Sequence, residues 1–258
     1  MRKEIFDKIR PRSLPFRSFE NHSALSVRHE NPALKQVHSG TTVLAFHYNE
    51  GILFVGDKKT SAGYSIVDQD KTKIYQIAPY SCCAAAGLVS DIQMLVRDIE
   101  EVNYAFLGRY GQLLSMEGQA NYLVNELRFF WQYGSMPLEV LLILGGLDLA
   151  KDQFRLFDIG WDGFRRECSD YLATGSGKDF ATAKLEENRR KILDRKLSKE
   201  EAIEIAVRAI FIAGKKDSGT SDIRVAFPDV ALVTKDGFSF VEESIIRGVV
   251  GNITKEEN

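Results

Sequence analysis

The chain is poor in several things that would point to particular functions. It has three cysteines in 258 residues, Cys82, Cys83 and Cys168. An odd count with two of them adjacent makes no disulfide framework and has no metal-ligand spacing, so buried thiols in a reducing compartment are expected. No run of apolar residues is long enough to span a bilayer. The first twenty residues, MRKEIFDKIRPRSLPFRSFE, are charged throughout and lack the apolar centre of a secretory signal. The expected location is therefore the cytoplasm, with no membrane partner. Basic residues are not in excess: 34 Lys and Arg face 36 Asp and Glu, for a net charge of −2. That balance argues against a nucleic-acid polyanion as the main partner. The four histidines are His22, His29, His38 and His47, and three of them lie in the first forty residues. Proline is scarce, six in all, yet Pro11, Pro15 and Pro32 also fall in that stretch, where they break any long element.

Residues 1–40 thus read as a weakly structured polar leader, and the pattern changes at Thr41. TTVLAFHY and EGILFVGD form a hairpin turning around Asn49–Gly51, with so little polar content that both faces are expected to be covered. KTKIYQIAP and YSCCAAAG are two further strands. Helical spacing then takes over in residues 88–111, with Leu88, Ile92, Leu95, Ile99 and Val102 on one stripe and Ser90 as its expected cap. A second helix over 115–134 has Ser115 as cap and Gly134 as stop. LEVLLILGGLD is a buried strand, and strands follow in QFRLFDIG and GFRRECSDYLATGSG. Two more helices are expected over 176–193 and 198–217, the latter with Ser198 and Glu201 in capping-box register. RVAFPDVALVTKDG and FSFVEES close the domain as a hairpin, and NITKEEN reads as a polar tail. Strands, two helices, strands, two helices and strands again predict an α+β fold, a four-layer αββα sandwich forming one domain.

A chemical reading starts from HSGTTVLAF. An N-terminal threonine can serve as nucleophile and base at once, because its own α-amine can take the hydroxyl proton. That requires removal of whatever precedes it, and a glycine before it lets the chain bend sharply. Asp57 lies sixteen residues after Thr41 and Lys73 thirty-two after it. A lysine ammonium near the hydroxyl would lower its pKa, and Asp57 would supply the counter-charge that a partly buried lysine needs. An oxyanion would need a backbone N–H on a close-approaching loop, a role that suits Gly87 in AAAGLVSD. Taken singly, Asp57 also reads as a turn residue, Lys73 as a solvated strand-end charge and Ser176 as a loop residue.

Together the segments GTTVLAF, GDKKTSAG, KIYQI, AAAGLVSD and ATGSG resemble, in order and spacing, the β subunits of the proteasome core particle, from Thr41 to about Ser244. SMEGQANYLVNELR and DSGTSD…FP look most like the actinobacterial type. The resemblance implies the N-terminal-nucleophile hydrolase fold and a threonine-type endopeptidase that degrades unfolded polypeptide, made as an inactive precursor. Residues 1–40 would be the propeptide, 41–258 the catalytic domain, and self-cleavage would fall between Gly40 and Thr41. By resemblance, Thr41 matches the nucleophile, Lys73 the catalytic lysine and Asp57 the aspartate pairing with it. Gly87 matches the oxyanion glycine, Ser176 the serine that holds the amine and a water, Asp217 the aspartate supporting that serine, and Thr220 a hydroxyl on the same network. The S1 pocket would be lined from Thr60, Lys71, Ala85, Val89 and Gln93. Ala85 at its base favours large apolar P1 residues, a chymotrypsin-like preference, whereas Lys71 would draw acidic ones. No metal or organic cofactor is implied.

The implied partners are proteasome α subunits, other β subunits in a homoheptameric ring of a twenty-eight-subunit barrel, and an ATP-dependent ring regulator. Two features depart from the pattern. Lys59 stands where arginine is more usual, and Ser221 stands where glycine is usual, in a loop shorter than the actinobacterial one. Three other readings compete. A simpler two-ring bacterial relative is disfavoured by the leader and by the 218 residues (258 less 40) from Thr41 onward. A non-catalytic ring subunit is disfavoured because both the threonine and the lysine are kept. The third is a related amidohydrolase acting on a small molecule.

Overall fold

The computed structural model describes residues 40–62, 65–68, 70–134 and 136–257. The expectation of a weakly structured leader falls on residues outside these, Gly40 excepted. Two five-stranded antiparallel sheets form the centre. The first is built from β1 (Thr42–Tyr48), β2 (Gly51–Gly56), β10 (Tyr171–Gly175), β11 (Asp229–Thr234) and β12 (Gly237–Phe240), in the order β10-β1-β2-β11-β12. The second runs in sequence order: β5 (Ile74–Ala78), β6 (Ser81–Gly87), β7 (Val140–Asp148), β8 (Gln153–Ile159) and β9 (Arg165–Cys168). A short ribbon of β3 (Thr60–Ala62) and β4 (Ser65–Asp68) stands apart.

The alternation of strand side chains decides the layering. Val43, Ala45, Ile52 and Phe54 of the first sheet meet Ile74, Cys82, Ala84, Ile143 and Leu156 of the second in one core between the sheets. The intervening residues Leu44, Phe46, Tyr48, Leu53 and Val55 point the other way, into a second core. That core is closed by α3 (Lys178–Glu187), α4 (Arg189–Leu193), α5 (Lys199–Lys216) and α6 (Glu243–Glu256). On the far side, Cys83, Ala85, Leu142 and Leu144 pack with Ile92, Leu95, Leu123 and Leu127 of α1 (Val89–Tyr110) and α2 (Met116–Tyr133). The result is the four-layer αββα sandwich. Every residue of β1 and of β2 is buried, as strands covered on both faces must be.

Local chemistry mostly follows the sequence. The Ser115 hydroxyl accepts from the Gly118 N–H at 3.1 Å, and Gly134 ends α2. Ser198 and Glu201 form the reciprocal capping box of α5. Three expectations are corrected. Ser90 does not cap α1. Leu88 holds the N-cap position because its N–H is anchored on the Glu139 carbonyl at 2.8 Å, so the helix starts directly off the strand and the Ser90 hydroxyl donates to Asp91. The helix expected over 176–193 is two helices broken at Asn188, whose side-chain amide donates to the Lys184 carbonyl, a local bond that competes with continuing the helix. The polar tail is the end of α6, which buries Ile246, Val250 and Ile253 against the α5 side of the core. No helix of the described residues is long and apolar enough to cross a membrane.

Candidate active site

β1 is the second strand of its sheet, and both its neighbours run antiparallel to it. Thr42 is opposite Gly175 on β10, and Val43 is opposite Gly56 on β2. Antiparallel pairing therefore carries the ends of β2 and β10 to either side of the start of β1. Asp57 directly follows β2 and Ser176 directly follows β10, so the two arrive on opposite flanks of Thr41–Thr42. Lys73 sits just before β5 of the facing sheet. It reaches the same edge by packing beside Gly56, the last residue of β2. Asp217 is the C-cap of α5, on the outer layer over the first sheet.

On the β2 side the polar groups are buried. Asp57 is 1% exposed and Lys73 5%. The Lys73 ammonium donates to Asp57 Oδ1 at 2.7 Å and also to the Lys59 carbonyl. The Thr42 N–H donates to the same Oδ1 at 2.8 Å. Asp57 Oδ2 accepts from the Lys59 N–H at 3.1 Å, the Ser221 N–H at 3.0 Å and the Ser221 hydroxyl at 3.2 Å. Burial pulls the pKa of Lys73 below its ordinary value, and the attraction of Asp57 opposes that shift without cancelling it. A lysine held this way is poised for proton chemistry.

On the β10 side the network is made of hydroxyls. Ser176 Oγ and Thr220 Oγ1 each donate to Asp217 Oδ2 at 2.6 Å. Thr42 Oγ1 lies 2.6 Å from Thr220 Oγ1 and accepts from the Gly177 N–H at 3.1 Å. Each hydroxyl has one hydrogen, and that of Thr220 is engaged by Asp217, so Thr42 donates to Thr220. The Ser176 N–H donates to the Thr41 carbonyl at 2.8 Å, and the Thr41 N–H donates to Ser176 Oγ at 3.4 Å.

Thr41, 2% exposed, lies between the two sides. Its hydroxyl donates to the Gly40 carbonyl at 2.7 Å, against the peptide unit that joins the two residues. Gly40 is required here by close approach. A Cβ on it would fall 2.1 Å from the Gly219 Cα. Packing room at this position is therefore reason enough for a glycine.

Thr41, Asp57, Lys73, Ser176, Asp217 and Thr220 thus share one connected region. Lys73 is linked to Thr41 through Asp57 and Thr42. Gly87 ends β6 two residues beyond Ala85, whose N–H bonds the Lys73 carbonyl at 3.0 Å. It has φ +132°, and a Cβ there would meet the Glu139 carbonyl oxygen at 1.9 Å, so the position admits glycine alone. Among the positions expected to line a pocket, Lys71 is half-buried with its N–H on the Lys58 carbonyl, and Ala85 is 2% exposed, packed toward α1 and α2. Val89 and Gln93 stand four residues apart on α1, half-buried and exposed respectively. Thr60 lies in β3, and its side chain is outside the described residues.

Sequence reasoning did not single out Thr42 as part of the polar network. Ser221 was noted only as a departure, and Gly219 not at all. Thr42 is signalled by its place next to Thr41, and Gly219 by its place between two hydroxyl residues.

The family model described as "Proteasome subunit" matches residues 37–227. Curated relatives named "Proteasome subunit beta" include one from Streptomyces griseus, 30% identical over 209 residues, covering 77% of this chain and 70% of the relative. One from Jonesia denitrificans is 31% identical, covering 80% and 68%. A third, from Methanosphaerula palustris, is 30% identical over 215 residues, covering 83% and 96%.

Proposed function

This chain belongs to the proteasome subunit family, and from that premise we propose that it is a catalytic β subunit: a threonine-type endopeptidase that acts inside a multisubunit core on unfolded polypeptide. The family is a peptidase family whose members assemble with other subunits. The finer reading rests on one observation, the gathering of Thr41, Asp57, Lys73, Ser176, Asp217 and Thr220 around a single strand end.

In this reading residues 1–40 are a propeptide. The Thr41 hydroxyl attacks the Gly40 carbonyl carbon, and the Gly40–Thr41 amide gives way to an ester. The hydroxyl proton passes to the departing nitrogen, which becomes the free Thr41 α-amine, and water then hydrolyses the ester, releasing the propeptide carboxylate and restoring the Thr41 hydroxyl. In the mature subunit the hydroxyl attacks a substrate carbonyl while its proton passes to the amine, directly or through a water held by Ser176. The Lys73 ammonium favours the ionised hydroxyl, and Asp57 keeps that lysine in place. The Gly87 N–H faces the oxyanion. The leaving amine takes the proton, and water then releases the acyl-enzyme. Asp217 holds Ser176, and Thr220 holds Asp217. Thr60, Lys71, Ala85, Val89 and Gln93 shape the S1 side, with a chymotrypsin-like preference. Partners are α subunits, further copies of this chain in a heptameric ring, and an ATP-dependent regulator, all in the cytoplasm. The chemistry is complete without a cofactor.

The test is the intact mass of this chain, co-assembled with its α partner. A wild-type chain that begins at Thr41, beside a Thr41→Ala chain that keeps its leader and cleaves no fluorogenic peptide, is the expected result. A wild-type chain that keeps its leader in a complete assembly would overturn the proposal and favour a non-catalytic ring subunit.

A further inference from the structure

Asp57 has more donors than a carboxylate needs. Oδ1 is filled by Lys73 and the Thr42 N–H, and Oδ2 by the N–H groups of Lys59 and Ser221. Those four occupy the roughly four lone-pair positions a carboxylate offers. The Ser221 hydroxyl, 3.2 Å from Oδ2, is a fifth donor. It comes from a residue that is 5% exposed, where a hydroxyl must find a partner. It is also the one side-chain donor other than Lys73 that Asp57 has among the described residues. Its dipole points its positive end at the carboxylate that holds the lysine.

We propose that Ser221 is a positioning residue for the reaction, its hydroxyl drawing charge density on Asp57 away from Lys73 and so setting how tightly Lys73 keeps its proton. Three charged groups act on that lysine besides its burial. Asp57 and Asp217 favour the ammonium, and Lys59 disfavours it. The sequence leaves these fixed, so Ser221 is the neutral group through which the balance is adjusted. A bare methyl at position 221 would leave Asp57 a stronger acceptor toward Lys73, and the lysine would hold its proton to higher pH. The catalytic consequence rests on the function proposed above; the effect on Lys73 does not.

The experiment compares full-length Thr41→Ala chains with and without Ser221→Ala, labelled with 13C-ε-lysine. The Lys73 resonance, assigned by its loss in a Lys73→Arg chain, is followed against pH by NMR. The expected result is an upward move of its midpoint by about half a pH unit, roughly a threefold gain in proton affinity. Ser221→Thr, which keeps the hydroxyl, leaves the midpoint at the wild-type position. Should Ser221→Ala fold poorly, Ser221→Cys, of similar size and a weaker donor, is expected to move the midpoint the same way. An unmoved midpoint in both variants overturns the inference, whatever the peptidase assay says. In the assembled, processed particle the alkaline limb of kcat/KM moves upward with Ser221→Ala. A particle as active with Thr41→Ala as without it would instead overturn the proposed function and leave the NMR result standing.

Discussion

The two flanks of Thr41 are built from different chemistry. The β2 flank is a buried ion pair, with Asp57 and Lys73 removed from water and every lone pair of the carboxylate engaged. The β10 flank is a run of hydroxyls that ends on Asp217, half-buried, with Ser176 exposed. A charge removed from water is costly unless its partners are fixed, so the first flank is rigid and intolerant of change. Thr42 and Thr220 are buried on this flank too, but Ser176 at its open end can exchange a partner for water at little cost. One flank therefore suits electrostatic tuning of a nucleophile, and the other suits handling protons and water beside it.

Substitutions that single out each flank should behave unequally. The largest effect is expected from Asp57→Ala, which strands Lys73 in a buried site. Peptide hydrolysis should fall by about 10³-fold or more, and urea unfolding of the Thr41→Ala form should show a loss of about 3–5 kcal/mol. If stability is unchanged, the ion pair is not the dry element described. Gly40→Ala comes next. Its methyl cannot fit against Gly219, so the Thr41 hydroxyl loses its seat on the Gly40 carbonyl, and processing followed by mass spectrometry should slow by at least about tenfold, the rate factor of 1.4 kcal/mol. Normal processing would show that the loop around Gly219 yields freely.

Ser176→Ala, at the exposed end of the hydroxyl flank, should cost activity, roughly 10–100-fold in kcat, with under about 0.5 kcal/mol of stability. A stability loss as large as that of Asp57→Ala would erase the distinction between the flanks. The smallest effect is a slope. Because the pKa of Lys73 is lowered on folding from 10.5, the unfolded chain binds more protons between the folded value and 10.5. Its contribution to stability therefore rises with pH across that window. In a Thr41→Ala background, Lys73→Met should flatten the stability-versus-pH curve there. An unchanged slope would mean that Lys73 titrates alike in both states.

Much of this molecule was legible along the chain because the signals are local. The two-faced apolar character of TTVLAFHY and GILFVG predicts a strand pair covered on both sides, and both are buried throughout. The S-x-x-E pattern at Ser198 predicts a cap that forms in full. The C-terminal helix was missed because its apolar stripe is short and interrupted by Gly248 and Gly251, and its last turn is charged. It is helical because Ile246, Val250 and Ile253 have a core to bury in. Ser90 was misread because a cap is chosen by where a strand releases the chain, which is set by the bond from Leu88 to Glu139.

The candidate site divides in the same way. Residue types and spacing put Thr41, Asp57 and Lys73 forward, since a nucleophile and a charge pair are recognisable as chemistry, whereas Ser176 and Asp217 came forward only through the family resemblance. The contributions of Thr42, Ser221 and Gly219 depend on residues up to 178 positions away, such as the Thr220 that Thr42 meets. The sequence alone determined the strand and helix periods, the four layers they must form and the chemical groups available at the Gly40–Thr41 junction, because each depends on side chains close along the chain. Only the tertiary structure decided which hydroxyl meets which carboxylate, why a glycine must precede Thr41 and how far Lys73 is removed from water. Those outcomes arise where antiparallel strand ends and a facing sheet converge, and burial there is a property of the whole packed edge.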